Sequence, residues 1–258
     1  MYKRQSPAFL ANQRLQRAPK NFGFAKAEVL DGNVGYLRVD AFDHPDLMRD
    51  TAAAAFAFLA NVDALIIDLR FNGGGQPSAV ALLASYLFAD RVHINDLYNR
   101  TFNSTTSYFT DPQAAAVKLP TQKVYLLTSS KTFSAGEEFT YDLQALKRGL
   151  VIGEVTGGGA HPTAIIPANA NFIVAVPIAK AVNPVTKTNW EGTGVQPDVK
   201  VEAGLALYTA RVKALEDLIS ATSDSGKKGA LEQALAAVKA SQPMPSGPAS
   251  PQQPPAGK

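Results

Sequence analysis

Two kinds of hydrophobic segment alternate along the first two thirds of the chain. One kind is short, apolar and rich in β-branched residues, as buried strands are. It occurs at residues 34–40, 63–69, 123–128 and 150–154. The other is longer, with apolar residues at helical spacing. It occurs at residues 45–59, 77–88 and 134–147. This alternation predicts an α/β fold with a mostly parallel sheet, in which functional loops follow the carboxyl ends of the strands.

The remaining segments set the expected domain boundaries. Polar strands or loops are predicted at residues 92–110, with further strands at 163–166 and 171–177 and helices at 204–221 and 228–241. We interpret residues 21–203 as one core and 204–241 as C-terminal helices. Residues 242–258 are rich in Pro, Ser, Gln and Gly, which predicts a disordered tail. Residues 1–20 are interpreted as the remnant of a longer, truncated N-terminal segment.

Composition narrows the function classes. The 258 residues carry a net charge of +3 and no cysteine, so disulfides and thiolate metal sites are excluded. Lysines and arginines are scattered, which does not favour nucleic-acid binding. The longest apolar run, residues 52–60, is too short to cross a bilayer. No zinc, nucleotide or dinucleotide motif is present, so neither a metal nor another cofactor is predicted.

The candidate chemistry lies in two loops that each follow a predicted strand. The first is "RFNGGG" at residues 70–75, and the second leads into Ser134 in "KTFSAGEEF". Because parallel strands end at one sheet edge, we expect the loops to meet. Ser134 could then act as a nucleophile, with an oxyanion hole formed by the amide of Ala135 and one amide of Gly73, Gly74 or Gly75.

A structural explanation competes with this one. Ser134 and Glu137 have the spacing of a capping box, and a glycine run after a strand is commonly a turn. Glu137 and Glu138 are expected to cap the helix or face solvent. Asp68 and Arg70 are expected to form an ion pair that holds the glycine loop.

Five motifs in order strengthen the catalytic interpretation: "GYLRVDAF", "ALIIDLRFNGGG", "VYLLTSSKTFSAGEEF", "VIGEVTGGGAHP" and "NPVTKTNWEGTGVQPDV". Over residues 35–201 the chain resembles the tail-specific (C-terminal-processing) serine peptidases. It is most similar to the bacterial subgroup related to interphotoreceptor retinoid-binding protein. The resemblance implies a crotonase-like or ClpP-like α/β spiral core and proteolysis through Ser134.

The resemblance leaves the general base open. In the processing proteases a lysine within the motif G-E-K-T-x-G-K-G serves as the general base. In this chain Gly159 occupies the position of that lysine. The branch similar to the tricorn core protease uses an upstream histidine and a distant glutamate, and Glu191 stands where that glutamate would. The base is therefore expected either in a segment preceding residue 20, or at His161, or at His44. His93 is interpreted as a surface residue.

We thus expect a serine endopeptidase that acts on polypeptides through an acyl-enzyme. A truncated chain that lacks the base is expected to be inactive. Two alternatives remain: a non-catalytic module that binds apolar ligands, and a crotonase-like acyl-CoA enzyme. The resemblance implies a periplasmic or extracellular location. The sequence gives no expectation for oligomeric state.

Overall fold

The computed structural model describes residues 7–242. Six α-helices lie in this range, with a 3-10 helix at Ala18–Gly23 after the first: α1 Pro7–Arg17, α2 Pro45–Phe58, α3 Pro77–Ala84, α4 Ala135–Ala145, α5 Ala203–Ala221 and α6 Ser225–Ala240. The strands of the same range are β1 Phe24–Leu30, β2 Val34–Val39, β3 Ala64–Asp68, β4 His93–Asn99, β5 Ser104–Phe109, β6 Lys123–Thr128, β7 Gly149–Gly153, β8 Thr163–Pro167, β9 Ile173–Pro177, β10 Lys180–Val182 and β11 Val199–Lys200.

The central sheet has six strands within residues 7–242, in the order β1-β2-β3-β6-β7-β11. Strand β1 pairs antiparallel with β2, and the other neighbours pair in parallel. The prediction of a mostly parallel sheet is therefore confirmed. A small antiparallel sheet, β10-β4-β5, and the β8-β9 hairpin lie outside the central sheet.

Helices cover both faces of the central sheet. Alternate residues of β3 point to opposite sides, so Leu65 and Ile67 join the core formed with α2, α3 and α4. Ile66 packs on the other side, in the core formed with α5 and α6. Burial on both faces explains why the central strands are continuous apolar runs, as is typical of parallel sheets. The predicted C-terminal helices are confirmed.

The sequence patterns missed several elements at the periphery. Helix α1, strand β1 and the two short strands β10 and β11 were not predicted. In β1 most side chains are exposed or half-buried, since it lies at the edge of the sheet. The predicted tail from residue 243 onward lies outside the described residues. In the part of the chain that the structure describes, no helix has the length and apolarity needed to cross a membrane.

Candidate active site

The glycine loop after β3 and the serine loop after β6 lie against each other at the carboxyl edge of the sheet. The Phe133 amide donates to the Asn72 carbonyl at 3.0 Å. Gly74 packs on the serine itself: a Cβ built on Gly74 would lie 2.7 Å from the Ser134 Cβ and 3.1 Å from its Oγ. Gly74 also has a φ of +105°, which side chains disfavour. The glycine run therefore permits a close approach to Ser134.

Asn72 shapes the glycine loop, a role that the sequence did not reveal. Its buried side chain accepts a hydrogen bond from the Gly74 amide at 2.9 Å and donates one to the Val39 carbonyl at 2.9 Å. Its Oδ1 also lies so close to Gly136 that a Cβ there would approach it to 2.7 Å. The sequence signal for this role is an asparagine that follows a buried strand and directly precedes the glycines.

Ser134 occupies a strained backbone conformation immediately before α4. Its φ and ψ are 51° and −119°, in a region that residues other than glycine rarely adopt. Such strain costs roughly 1–3 kcal/mol and persists only where surrounding contacts impose it. The following amide, that of Ala135, lies in the first turn of α4, where the helix dipole favours negative charge.

Glu137 connects the serine to the second glycine run, residues 157–159. Its buried carboxylate accepts from the Ser134 amide at 2.8 Å, the Thr156 hydroxyl at 2.5 Å, the Gly158 amide at 2.6 Å and the Gly159 amide at 2.8 Å. The expected capping contact to Ser134 is thus present. A solvent-facing role is wrong, because tertiary contacts occupy both carboxylate oxygens.

His161 and Glu191 lie beside one another just beyond this glycine run. Glu191 Oε2 accepts from the Ala160 amide at 2.6 Å and lies 3.7 Å from His161 Nδ1. Trp190 is buried next to them, and its Nε1 donates to the Gly159 carbonyl at 3.1 Å. The segment that carries His161 is therefore anchored both to Glu191 and, through Gly159 and Glu137, to the Ser134 backbone.

The other two histidines have structural contacts of their own. His44 is the N-cap of α2, with Nδ1 accepting from the Asp46 amide at 3.2 Å. His93 lies half-buried, with Nε2 2.8 Å from Asp96 Oδ1 and its ring stacked on Phe109. The contact that His44 makes is therefore that of a helix N-cap.

Ser134 opens into a cleft of about 310 Å³. The cleft is bounded by the glycine loop, the start of α4, the segment around His161, and the strands β4 and β10. Its lining residues are Gly75, Pro77, Leu97, Ser134, Ala135, Glu138, Gly159, Ala160, Pro162, Thr163, Ala181 and Trp190. Both chain neighbours of His161 line the cleft, whereas the imidazole itself lies toward Glu191.

Glu138 and Asp142, one turn apart on α4, form a buried carboxyl pair. Glu138 is only 4% exposed, so the expectation that it faces solvent is wrong. Burial raises the pKa of Glu138 to about 7, and the nearby Asn95 side chain opposes this only in part. Burial and the Glu138 charge raise the pKa of Asp142 well above its usual range, against a hydrogen bond from Asn183.

The predicted ion pair between Asp68 and Arg70 is present below the glycine loop. Arg70 donates to both oxygens of the fully buried Asp68, with an NH2–Oδ2 distance of 2.7 Å. The Tyr36 hydroxyl donates to Oδ2 at 2.7 Å. Burial would raise the pKa of Asp68, but the hydrogen bonds and charge of Arg70, with Tyr36, outweigh it and lower that pKa below its usual value.

The sequence profile of peptidase family S41 matches residues 33–201, more than half of the chain. The chain belongs to peptidase family S41. This S41 chain is 29% identical over 181 residues to "C-terminal processing peptidase, chloroplastic" from Tetradesmus obliquus, a match that covers 66% of this chain and 35% of the relative. It therefore spans about a third of the length of that relative.

Solved structures of the family have the same fold. The S41 chain is 26% identical to a photosystem II D1 C-terminal processing protease, covering 67% of this chain and 43% of the other with a TM-score of 0.55. Mature CPAF is 15% identical to this chain, and the match covers 81% of this chain and 54% of the CPAF chain with a TM-score of 0.55. At this identity the match shows a shared fold alone.

In this S41 chain, the structure brings Ser134, Ala135 and the glycine loop together and places His161 beside Glu191. Within residues 7–242 no group of three or more His, Cys, Asp or Glu side chains is arranged to hold a metal ion. The arrangement joins a strained serine, a helix N-terminus and a glycine loop around one cleft. These are components of an acyl-transfer site, which also requires a general base.

Proposed function

We propose that this chain carries the catalytic core of a serine peptidase that hydrolyses peptide bonds through an acyl-enzyme on Ser134. The observation that carries the proposal is the packing of Gly74 on Ser134, in a strained turn that opens into the cleft. The strain aims one hydroxyl at the space that a scissile carbonyl would occupy.

In the first step Ser134 Oγ attacks the carbonyl carbon of the peptide bond and transfers its proton to a base. The carbonyl oxygen becomes negatively charged and needs preorganised donors. Gly73 donates to the Asp40 carbonyl at 3.3 Å and Gly74 to Asn72 Oδ1 at 2.9 Å. We therefore assign the oxyanion donors to the amides of Gly75 and Ala135, both of which belong to residues that line the cleft.

His161 is the base that we propose, with Glu191 as its orienting carboxylate. It lies one residue from cleft-lining positions on either side, and Glu191 Oε2 is 3.7 Å from its Nδ1. Rotation about the side-chain bonds of His161 would turn the imidazole toward Ser134, and such contacts commonly tighten only when substrate binds. His161 would then protonate the leaving amine and activate the water that hydrolyses the acyl-enzyme.

The substrate, by this proposal, is a polypeptide segment laid in the cleft, as the names of the relatives suggest. The finer fold assignment, a crotonase-like or ClpP-like spiral core, belongs to the same proposal, as does a periplasmic or extracellular location. No cofactor is invoked in any step.

The decisive experiment is labelling with a fluorophosphonate, which reacts with activated serines. We expect this chain to be labelled and Ser134→Ala and His161→Ala to lose labelling, with His93→Ala as the matched histidine control that keeps it. If His161→Ala is labelled normally, His161 is not the base.

A chain that is never labelled would oppose the proposal, and two binding assays would then separate the alternatives. Saturable binding of a retinoid or fatty acid without labelling would support a module for apolar ligands. Thioester turnover that persists in Ser134→Ala would support an acyl-CoA enzyme.

A further inference from the structure

The cleft next to Ser134 has a buried carboxyl group in its wall. Glu138 lies one turn along α4 from the serine and lines the cleft, although only 4% of the residue is exposed. Its position places a carboxyl group in the wall of the cleft that Ser134 also lines, rather than at the protein surface. A charge with so little contact with water requires partners.

Those partners are incomplete. Among residues 7–242, Glu138 Oε1, Asp142 Oδ2 and the side-chain amide of Asn95 lack hydrogen bonds of ordinary geometry, although Asn95 lies close enough to Glu138 to oppose the rise of its pKa in part. All three side chains are buried. Asp142 is held from one side only, by Asn183 Nδ2 at 2.9 Å. Buried polar atoms without partners are rare in native proteins, and their concentration beside a cleft suggests a ligand that supplies donors.

The other residues that line the cleft favour a ligand side chain with a long aliphatic part. Pro77, Leu97, Ala181 and Trp190 line the cleft with apolar surface. A pocket with apolar walls and a carboxyl group in its depth suits a lysine or arginine, whose methylene groups pack while the charged end is paired. A lysine ammonium carries three donors, and Glu138, the member of this buried group that lines the cleft, would be its acceptor.

We propose that Glu138 determines specificity, and that the cleft binds a basic side chain, lysine or arginine, of the residue immediately before the scissile bond. The inference deepens the proposed function and rests on it. Without a bound cation the carboxyl pair retains a proton, as the raised pKa of Glu138 indicates. An incoming ammonium takes over that role and releases the proton to solvent. An acidic side chain would meet a like charge and is excluded.

The test measures binding, which does not require turnover. Two hexapeptides that differ only in their C-terminal residue, lysine or norleucine, are titrated calorimetrically into the Ser134→Ala chain. They mimic cleavage products and differ only by the ammonium group. We expect the lysine peptide to bind at least about tenfold more tightly, because only its ammonium group can form a charge-assisted hydrogen bond to the buried carboxylate.

The isosteric variant Glu138→Gln, in the same background, should reduce this preference to about threefold or less. Glu232→Gln, which removes an equal charge at an exposed position of α6, should leave it intact. If neither peptide binds, the peptide cleft itself is wrong and the inference is lost with it. If both peptides bind equally, the cleft binds peptides but has no preference for lysine. The inferred specificity would then be wrong, and water would hydrogen-bond the buried carboxyl group. A lysine preference that survives Glu138→Gln would also overturn the assignment.

Discussion

Gly74 and Ser134 are in direct contact: a Cβ on the glycine would come within 2.7 Å of the serine Cβ. This relationship makes the glycine loop and the serine loop a single unit, although the two residues are 60 positions apart in the sequence. The position of the serine hydroxyl therefore depends on a glycine that itself contributes no side chain.

Replacing that glycine should inactivate the site. In Gly74→Ala the new methyl group would displace Ser134, and alanine would be held at a φ of +105°. We expect fluorophosphonate labelling to be lost and the free energy of unfolding to fall by about 1–3 kcal/mol. Gly73→Ala is the matched control for stability, because a Cβ there meets nothing within 4 Å. Equal destabilisation by both substitutions would contradict the close-approach argument.

Glu137 should be essential for the site without acting as an acid or base. All four of its partners donate hydrogen bonds, so alanine would leave buried amides unsatisfied. We expect Glu137→Ala to lower the free energy of unfolding by at least about 3 kcal/mol, measured by urea denaturation. Glu137→Gln should lie between alanine and wild type, since its amide nitrogen would face donors. A glutamine variant as stable as wild type would show that the carboxylate charge is dispensable.

The parallel sheet and its two functional loops were predictable because each followed directly from a local pattern. Strands buried on both faces are continuous apolar runs, and the loops after β3 and β6 carry the glycines and the serine. The roles of Glu137 and Glu138 were not predictable. Glu137 accepts hydrogen bonds from residues about 20 positions away, and Glu138 is buried next to Asn95 of β4. Helical periodicity reveals neither contact. In the sequence alone, two neighbouring glutamates on a helix resemble residues of a solvent-exposed face.

The raised pKa of Glu138 predicts a specific pH dependence of stability. Between the ordinary value of 4.5 and about 7, the folded protein holds a proton that the unfolded chain has released. The free energy of unfolding should therefore fall as pH rises through this range. Glu138→Gln lacks the effect, so its stability relative to wild type should increase between about pH 5 and about pH 8, by on the order of 3 kcal/mol.

Urea denaturation of both proteins at the two pH values measures this difference. Comparing them cancels the contributions of the carboxyls whose pKa is lowered, such as Asp68, which have the opposite sign. A relative stability that does not change with pH would mean that Glu138 is ionised in the folded protein throughout the range.

Two arginine–aspartate pairs with the same sequence spacing should differ sharply in their contribution to stability. Arg70 pairs with the fully buried Asp68, whereas Arg38 pairs with Asp40, whose side chain is 34% exposed. Arg70→Ala would strand a buried charge, so we expect a loss of about 3–5 kcal/mol. Arg38→Ala should cost about 1 kcal/mol or less.

The lowered pKa of Asp68 also sets the pH range in which the Arg70 contribution operates. That contribution is fully present above the ordinary aspartate value of 3.8 and is lost as pH falls through the lower value of the folded protein. Thermal or urea unfolding of both variants at neutral and acidic pH checks the contrast. Similar losses for Arg70→Ala and Arg38→Ala at neutral pH would show that burial does not strengthen the pair.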